Sequence, residues 1–312
     1  MTKIAILDDY QGVALQGGDW SGLDVTVFRD HVRDTARVIE RLQPFEVICA
    51  MRERTQLGRE VIEGLPNLKM ITTTGMRNAA IDMQAAADRG VTVCGTAGKS
   101  TPTPELAMGL MLSLARSIHL ESRNMRGGQW QTTIGKSLNG ATLGLLGLGR
   151  LGRQVAKYAR AFDMNLIAWS QNLDAATATE AGAKLVDKAT LFREADFLSI
   201  HLVLGDRSRG LVGADELALM KPDAYLINTS RGPIVDEAAL LSALQEHRIA
   251  GAGLDVYGVE PLPADHPIRT LDNVVLTPHL GYVTADTYQV FYAETLENVR
   301  AWVAGAPTRV IS

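Results

Sequence analysis

Cysteine is scarce, neither sign of charge dominates, and no apolar run is long. The two cysteines, Cys49 and Cys94, sit in strand-like apolar runs ("EVICA", "VTVCG") with no CxxC and no Cys/His cluster nearby. They offer no metal-ligand spacing, so no metal site and two reduced core thiols are expected. Lys plus Arg total 31 against 35 Asp plus Glu, a formal charge of −4, too balanced to attract nucleic acid or an anionic lipid surface. No stretch approaches the roughly 20 apolar residues that span a bilayer. The start, "MTKIAILDDY", reads as a strand rather than a signal sequence. A cytoplasmic protein with small-molecule partners is the expectation. Low-complexity tracts and short-period repeats are also missing.

What is present is an ordinary globular composition, 46% apolar and 21% charged over 312 residues, a length that suggests two domains. Short Val- and Ile-rich runs recur at spacings suited to parallel strands with helical crossovers. The first series is 3–7, 24–28, 46–50, 68–74 and 91–95, with helical spacing in "RVIERLQ", "LGREVIEGL" and "MQAAADRG". The second is 142–147, 165–169, 197–200, 224–228, 251–256 and 273–277. An apolar helix at 104–118 joins them, followed by a surface loop, "NMRGGQWQTTIGKSLNG". The fold class is therefore α/β, with two doubly wound, Rossmann-like parallel sheets and a cleft between them. A last helical run, 288–303, has no strand after it and is expected to pack back on the first unit.

In "LLGLGRLGRQVA" (145–156) three glycines fall between a strand and a helix. GxGxxG alone is weak evidence, but this context meets the needs of a dinucleotide site. Gly147 serves the tight turn, Gly149 the close approach of a pyrophosphate and Gly152 the helix–strand contact, with Arg150 and Leu151 inside the same cofactor-binding turn. The helix N-terminus adds free N–H groups and partial positive charge. Ser170 stands about where an acidic residue would bond the adenosine ribose of NAD. Without that carboxylate a 2′-phosphate is not repelled, and Arg150 is placed to meet one, so NAD or NADP is expected, with a slight lean to NADP.

Ligands of such sheets bind beyond the carboxyl ends of the strands. Three strand ends deliver chemistry: "AYLINTSRG" brings Arg231, "GAGLDVYGVEP" brings Asp255 and Glu260, and "NVVLTPHLG" brings His279. Hydride transfer needs a proton partner near neutral pH, which suits His279. A carboxylate, Glu260, would fix the imidazole tautomer and favour its protonated form, and Arg231 would hold a substrate carboxylate or polarise its carbonyl. Of the other histidines, His31, His119 and His247 fall in helix or loop contexts with no strand end before them, and His266 lies among prolines. His201 follows a strand and is assigned to the cofactor rim.

Through "LNGATLGLLGLGRLG", "HLVLGDRSRGLVG", "MKPDAYLINTSRGPIVDEAAL", "AGLDVYGVEPLPADHP" and "NVVLTPHLGY", the chain resembles the D-isomer-specific 2-hydroxyacid dehydrogenases along nearly its whole length. The resemblance implies that Arg231, Glu260 and His279 are the catalytic set. It also implies that Asp255 and the backbone near Thr229 hold the nicotinamide carboxamide, and that Ser208 replaces a cofactor-contacting Thr. It further implies a substrate domain of residues 1–100 plus 285–312, a dinucleotide domain of 101–284, and a homodimer built largely through the cofactor domain and its 104–140 region. The substrate-carboxylate loop corresponds to "TTTGMRNAAID", with Gly75, Met76, Arg77 and Asn78, a departure from the family's commoner Gly/Val-rich run. Arg52 stands where some members face the far end of a phosphorylated substrate. The resulting expectation is an enzyme that interconverts a 2-keto acid and a D-2-hydroxy acid. The rival is a dinucleotide-sensing, co-repressor-like binding protein, against which the intact Arg/Glu/His set speaks.

Overall fold

Alternating apolar runs and helices form two all-parallel sheets in the computed structural model, which describes residues 1–311. They belong to two compact units, Met1–Lys99 together with the segment from Val283 onward, and Ser100–Tyr282.

In the first unit β1 (Lys3–Ile6), β2 (Asp24–Val27), β3 (Val47–Ala50), β4 (Met70–Thr73) and β5 (Thr92–Gly95) lie in the order β2-β1-β3-β4-β5. Strands β3 and β4 are buried at every residue, as parallel strands covered on both faces must be. That is why β3 reads as an unbroken apolar run and β4 as a run of apolar and β-branched residues. Helices α1 (Thr35–Leu42), α2 (Arg59–Glu63) and α3 (Met83–Asp88) are the crossovers. Asp34 and Asp82 cap α1 and α3 by accepting the Arg37 and Ala85 amides, each cap contributing about 1 kcal/mol. The strand order reverses between β1 and β3, a topological switch point.

In the second unit β6 (Thr142–Leu146), β7 (Asn165–Trp169), β8 (Lys184–Leu185), β9 (Phe197–Ile200), β10 (Tyr225–Asn228), β11 (Gly251–Leu254) and β12 (Val274–Leu276) form one sheet. Its order is β12-β11-β10-β9-β6-β7-β8. Read from β8, this is the doubly wound dinucleotide-binding order extended by one strand. The two-residue edge strand β8 is absent from the sequence reading because it presents no apolar run. The covering helices are α4 (Pro102–Ala115), α5 (Ile118–Arg126), α6 (Arg150–Arg160), α7 (Ala175–Glu180), α8 (Lys188–Glu194), α9 (Ala214–Leu219) and α10 (Glu237–Gln245).

The single helix expected over 104–118 is two. Ser117 takes a left-handed φ of 49°, which ends α4, and α5 then occupies the start of the expected loop. Helix α11 (Ala285–Val303) belongs to the first unit, where Asn298 donates to the Gly95 carbonyl (2.8 Å) and Glu294 accepts from the Ala97 amide (2.6 Å). Both cysteines are buried and unpaired. Among the described residues no helix is long and apolar enough to cross a membrane.

Candidate active site

The glycine turn after β6 has three different physical reasons for its three glycines. Gly147 is left-handed (φ 101°), and a Cβ there would meet the His201 carbonyl oxygen at 2.8 Å. Gly152 sits so tightly on the Gly147 carbonyl that any side chain would overlap it. Gly149 instead faces open space and is the N-cap of α6 without offering a side-chain cap. The first amides of α6 are therefore left for an anion. Arg150 and Leu151 begin the helix beside that position.

A cavity of about 830 Å³ opens beside this turn, lined among others by Ser170, Lys188, Leu202, Arg207 and Ser208. Its size suits a nucleoside. Ser208 lines it with its backbone fold more than with its hydroxyl, which donates to the Val203 carbonyl (2.7 Å) and accepts the Gly205 amide (2.9 Å). Thr229, at the end of β10, buries its hydroxyl with no hydrogen-bond partner among the described residues. An open glycine at an uncapped helix start, a nucleoside-sized cavity and a buried hydroxyl without a partner all fit a dinucleotide.

His201 follows β9. Its Nε2 lies 2.9 Å from the Ser199 hydroxyl, and burial pushes its pKa down to about 4. The ring is thus neutral at physiological pH and is unsuited to supply a proton as imidazolium.

Arg231, Asp255, Glu260 and His279 leave three consecutive strands at one level, because Asn228 pairs with Leu254 and Leu254 with Leu276. Neighbouring strands lie about 4.8 Å apart, so the register alone gathers these loops. The imidazole Nδ1–H of His279 donates to Glu260 Oε2 at 2.6 Å. Glu260 Oε1 accepts the Tyr257 amide at 3.0 Å, fixing the carboxylate from its other side. His279 itself is held at a left-handed φ of 55°, a strain of order 1 kcal/mol that persists only where surroundings enforce it.

Asp255 is the enforcer. It is fully buried and accepts from the Thr277 hydroxyl (2.6 Å) and the Leu280 and Gly281 amides (2.6 and 2.8 Å). Burial pushes its carboxyl above the usual range, while these donors and the His279 charge pull the other way.

Sequence reading overlooked the braces around this set. The Asn228 side chain, at the end of β10, donates to the Arg231 carbonyl and accepts the Ser230 amide, both at 3.0 Å. Tyr257 donates its hydroxyl to the Leu254 and Thr277 carbonyls (3.1 and 2.9 Å), stapling β11 to β12. Gly232 presses on the Tyr257 backbone with no room for a Cβ. An amide side chain ending an apolar strand, and a glycine directly after an arginine, were the available signals.

The expected substrate-loop residues lie in the first unit, at the ends of β3 and β4. The Gly75 amide donates to Thr96 Oγ1 (2.9 Å), and the Asn78 side chain turns inward to the Arg52 carbonyl (2.6 Å) and Thr73 (2.8 Å). Met76 and Arg77 are exposed and carry the loop's other amides. Arg52 has a left-handed φ of 49° and folds its guanidinium over Gly75, donating to the Thr74 carbonyl at 3.1 Å.

His31 was set aside for want of a preceding strand, yet it lies four residues beyond the end of β2 and bonds Asp8. The strand expected over 24–28 does end just before it, and the polar residues between, Arg29 and Asp30, only lengthen the exit.

The chain is similar to known proteins of one family. The profile of the D-isomer specific 2-hydroxyacid dehydrogenase NAD binding domain matches residues 108–281. The chain is 39% identical to the hydroxypyruvate reductase of Thermotoga maritima over 258 residues, 81% of this chain and 83% of that one. It is 37% identical over 272 residues to the D-3-phosphoglycerate dehydrogenase of Methanocaldococcus jannaschii, covering 86% of this chain. Here the match spans about half of the relative's length, 52%. A crystal structure of a phosphoglycerate oxidoreductase from Vibrio cholerae superposes with a TM-score of 0.93 at 39% identity, over 98% of this chain and 100% of that one.

Proposed function

Because the chain belongs to the D-isomer-specific 2-hydroxyacid dehydrogenase family, we propose that it interconverts a 2-keto acid and its D-2-hydroxy acid. The observation that carries the reading is the His279–Glu260 pair, set beside Arg231 on three adjacent strand ends. The nicotinamide ring, when bound, supplies or accepts the hydride. Arg231 binds the substrate carboxylate through its planar fork. Glu260 holds the His279 ring with its proton on Nδ1, so Nε2 gives a proton to the carbonyl oxygen in reduction and takes it from the hydroxyl in oxidation. In reduction, keto acid, reduced dinucleotide and one proton yield hydroxy acid and oxidised dinucleotide.

Asp255 and Thr229 are assigned to the carboxamide end, and the 147–152 turn to the pyrophosphate. Ser170, His201 and Ser208 are assigned to the remaining cofactor wall. The Met76 and Arg77 amides, beside Gly75 and Asn78, serve the substrate. NADP is the favoured cofactor, since Ser170 directly follows β7 without a carboxylate and Arg150 is exposed at the start of α6. The test is loss of nicotinamide absorbance with a panel of 2-keto acids and both reduced cofactors. Turnover with a higher kcat/KM for NADPH is expected. Binding of the dinucleotide without turnover of any keto acid would favour the sensor reading instead, and a large preference for NADH would overturn the cofactor assignment.

A homodimer is part of the same reading. Helix α5 buries none of its residues, and Ile118, Met125, Trp130 and Ile134 are between 52% and 100% exposed along it and the following segment. Apolar side chains grouped this way are commonly covered by a second copy. Sedimentation at twice the 33.7 kDa chain mass is expected, with Trp130→Ser shifting the equilibrium toward monomer. A wild-type monomer at micromolar concentration would refute this.

A further inference from the structure

The loop that carries Glu260 is tied to the rest of the second unit by groups that the reaction above does not use. Near its start the Gly258 amide donates to Glu237 Oε2 at 3.1 Å, and toward its end Nε2 of His266 lies 3.2 Å from Glu237 Oε1. Between these two ties the Arg269 guanidinium donates to the Leu262 and Pro263 carbonyls, both at 2.7 Å. Glu237 itself opens α10, the helix entered from the turn that bears Arg231. One carboxylate thus joins the chain leaving β10 to two points of the loop leaving β11.

The His266 ring is oriented for this contact. Its Nδ1 accepts the Ile268 amide at 3.3 Å, which only an unprotonated ring nitrogen can do, so the ring proton sits on Nε2 and is donated to Glu237. The His266 side chain is 16% exposed and that of Glu237 44%. At that exposure water screens the Glu237 charge, and what the residue contributes is reach, since each of its oxygens holds one point of the Glu260 loop. The Tyr257 and Gly258 amides are consecutive. The first donates to Glu260 Oε1 at 3.0 Å and the second to Glu237, so a shift of the Gly258 peptide passes directly to the carboxylate that meets His279. Gly232 presses on the Tyr257 backbone from the Arg231 turn, and Glu237 is a second attachment of the same two segments.

We propose that Glu237 is a positioning residue: held by the Gly258 amide and His266, it fixes where Glu260 stands beside His279. The inference rests on the dehydrogenase reading for what His279 does with its proton. Around His279 stand Glu260 at 2.6 Å, the buried Asp255, which feels its charge, and the Tyr282 ring, with centroids 5.8 Å apart. Arg231 leaves the next strand but one. A displaced Glu260 favours the imidazolium less, so His279 is protonated only at lower pH. Reduction, which needs the proton, then falls off at lower pH, whereas oxidation, which needs the neutral ring, persists to lower pH.

The experiment compares wild type with Glu237→Asp, Glu237→Gln, Asp236→Ala, Glu260→Gln and the double variant Glu237→Asp/Glu260→Gln. Glu237→Asp keeps the charge and shortens the reach, whereas Glu237→Gln keeps the reach and one acceptor oxygen. Asp236→Ala removes a charge and the N-cap of α10, which accepts the Ala239 amide at 3.0 Å, but neither tie to the Glu260 loop. One readout is kcat and KM against pH in both directions with the best 2-keto acid of the panel. The other needs no turnover: the pH midpoint of the His279 ring by imidazole nitrogen NMR with oxidised dinucleotide present, the signal being assigned by its loss in His279→Asn. Glu237→Asp moves the midpoint and both pH limbs down by about 0.5 or more, part of the shift of about 1–3 on removing the Glu260 carboxylate. It lowers kcat by up to about 10²-fold and leaves KM within about two-fold. Glu237→Gln moves them less, Asp236→Ala lowers only Tm, and the double variant goes no further than Glu260→Gln. Melting curves confirm folding. A wild-type midpoint in Glu237→Asp, shifts confined to the variants that lose a charge, a rise in KM alone, or additive shifts in the double variant would overturn the proposal. If no keto acid turns over but the midpoints move as stated, the proposal stands and the dehydrogenase reading fails.

Discussion

Replacing His279 lowers kcat by about 10²–10⁴-fold, the range for a lost general acid, while the Kd for the reduced dinucleotide stays within about two-fold. Alanine alone would be an ambiguous probe, because position 279 is left-handed (φ 55°) and Ala there adds backbone strain of order 1 kcal/mol. Asn tolerates that conformation and lacks the imidazole, so His279→Asn isolates the chemistry from the backbone. The expected result is that both variants bind cofactor, by nicotinamide fluorescence, and both turn over slowly. His201 is no substitute: it stays neutral down to a pH of about 4 and is not a proton source at pH 7. Turnover surviving in both variants within a few-fold would remove His279 from the mechanism.

The second large effect concerns Gly152. On helix propensity alone, Gly152→Ala in α6 should gain up to about 1 kcal/mol. The structure reverses the sign, since a Cβ there would overlap the Gly147 carbonyl and push α6 off the turn that carries Gly149. Overpacking of this kind costs about 1–3 kcal/mol, and the displaced helix start loses its amides for the pyrophosphate. At least a ten-fold weaker dinucleotide Kd, about 1.4 kcal/mol, and a lower Tm are expected. A Gly152→Ala protein that melts higher and binds cofactor normally would refute the steric account.

Much of the fold was legible because parallel strands buried on both faces are rich in apolar and β-branched residues, as "VICA" and "MITT" are. Where that rule loses force, reading failed. The edge strand β8 is two residues long and half-exposed, so burial leaves no mark on its composition. The break at Ser117 depends on one backbone dihedral, and its flanks are as helical in composition as the helices they end. Arg231, Glu260 and His279 were singled out because each follows an apolar strand by a few residues. Asp8 and Tyr10 follow β1 just as closely, but nothing in "LDDYQ" shows that the first carboxylate is buried.

By itself the sequence determined the α/β class and the strand–turn–helix context of the glycine turn, which rest on periodicity and spacing within a few dozen residues, and the family, which rests on the resemblance of its motif blocks. The tertiary structure alone decided that Glu260 meets His279, that Asp8 meets His31 and Thr55 from 23 and 47 positions away, and that Arg52 turns inward while Arg54 lies on Tyr10. The reason is that periodicity records which face of an element is buried, whereas the pairing of polar groups depends on the order and register of strands distant in the chain.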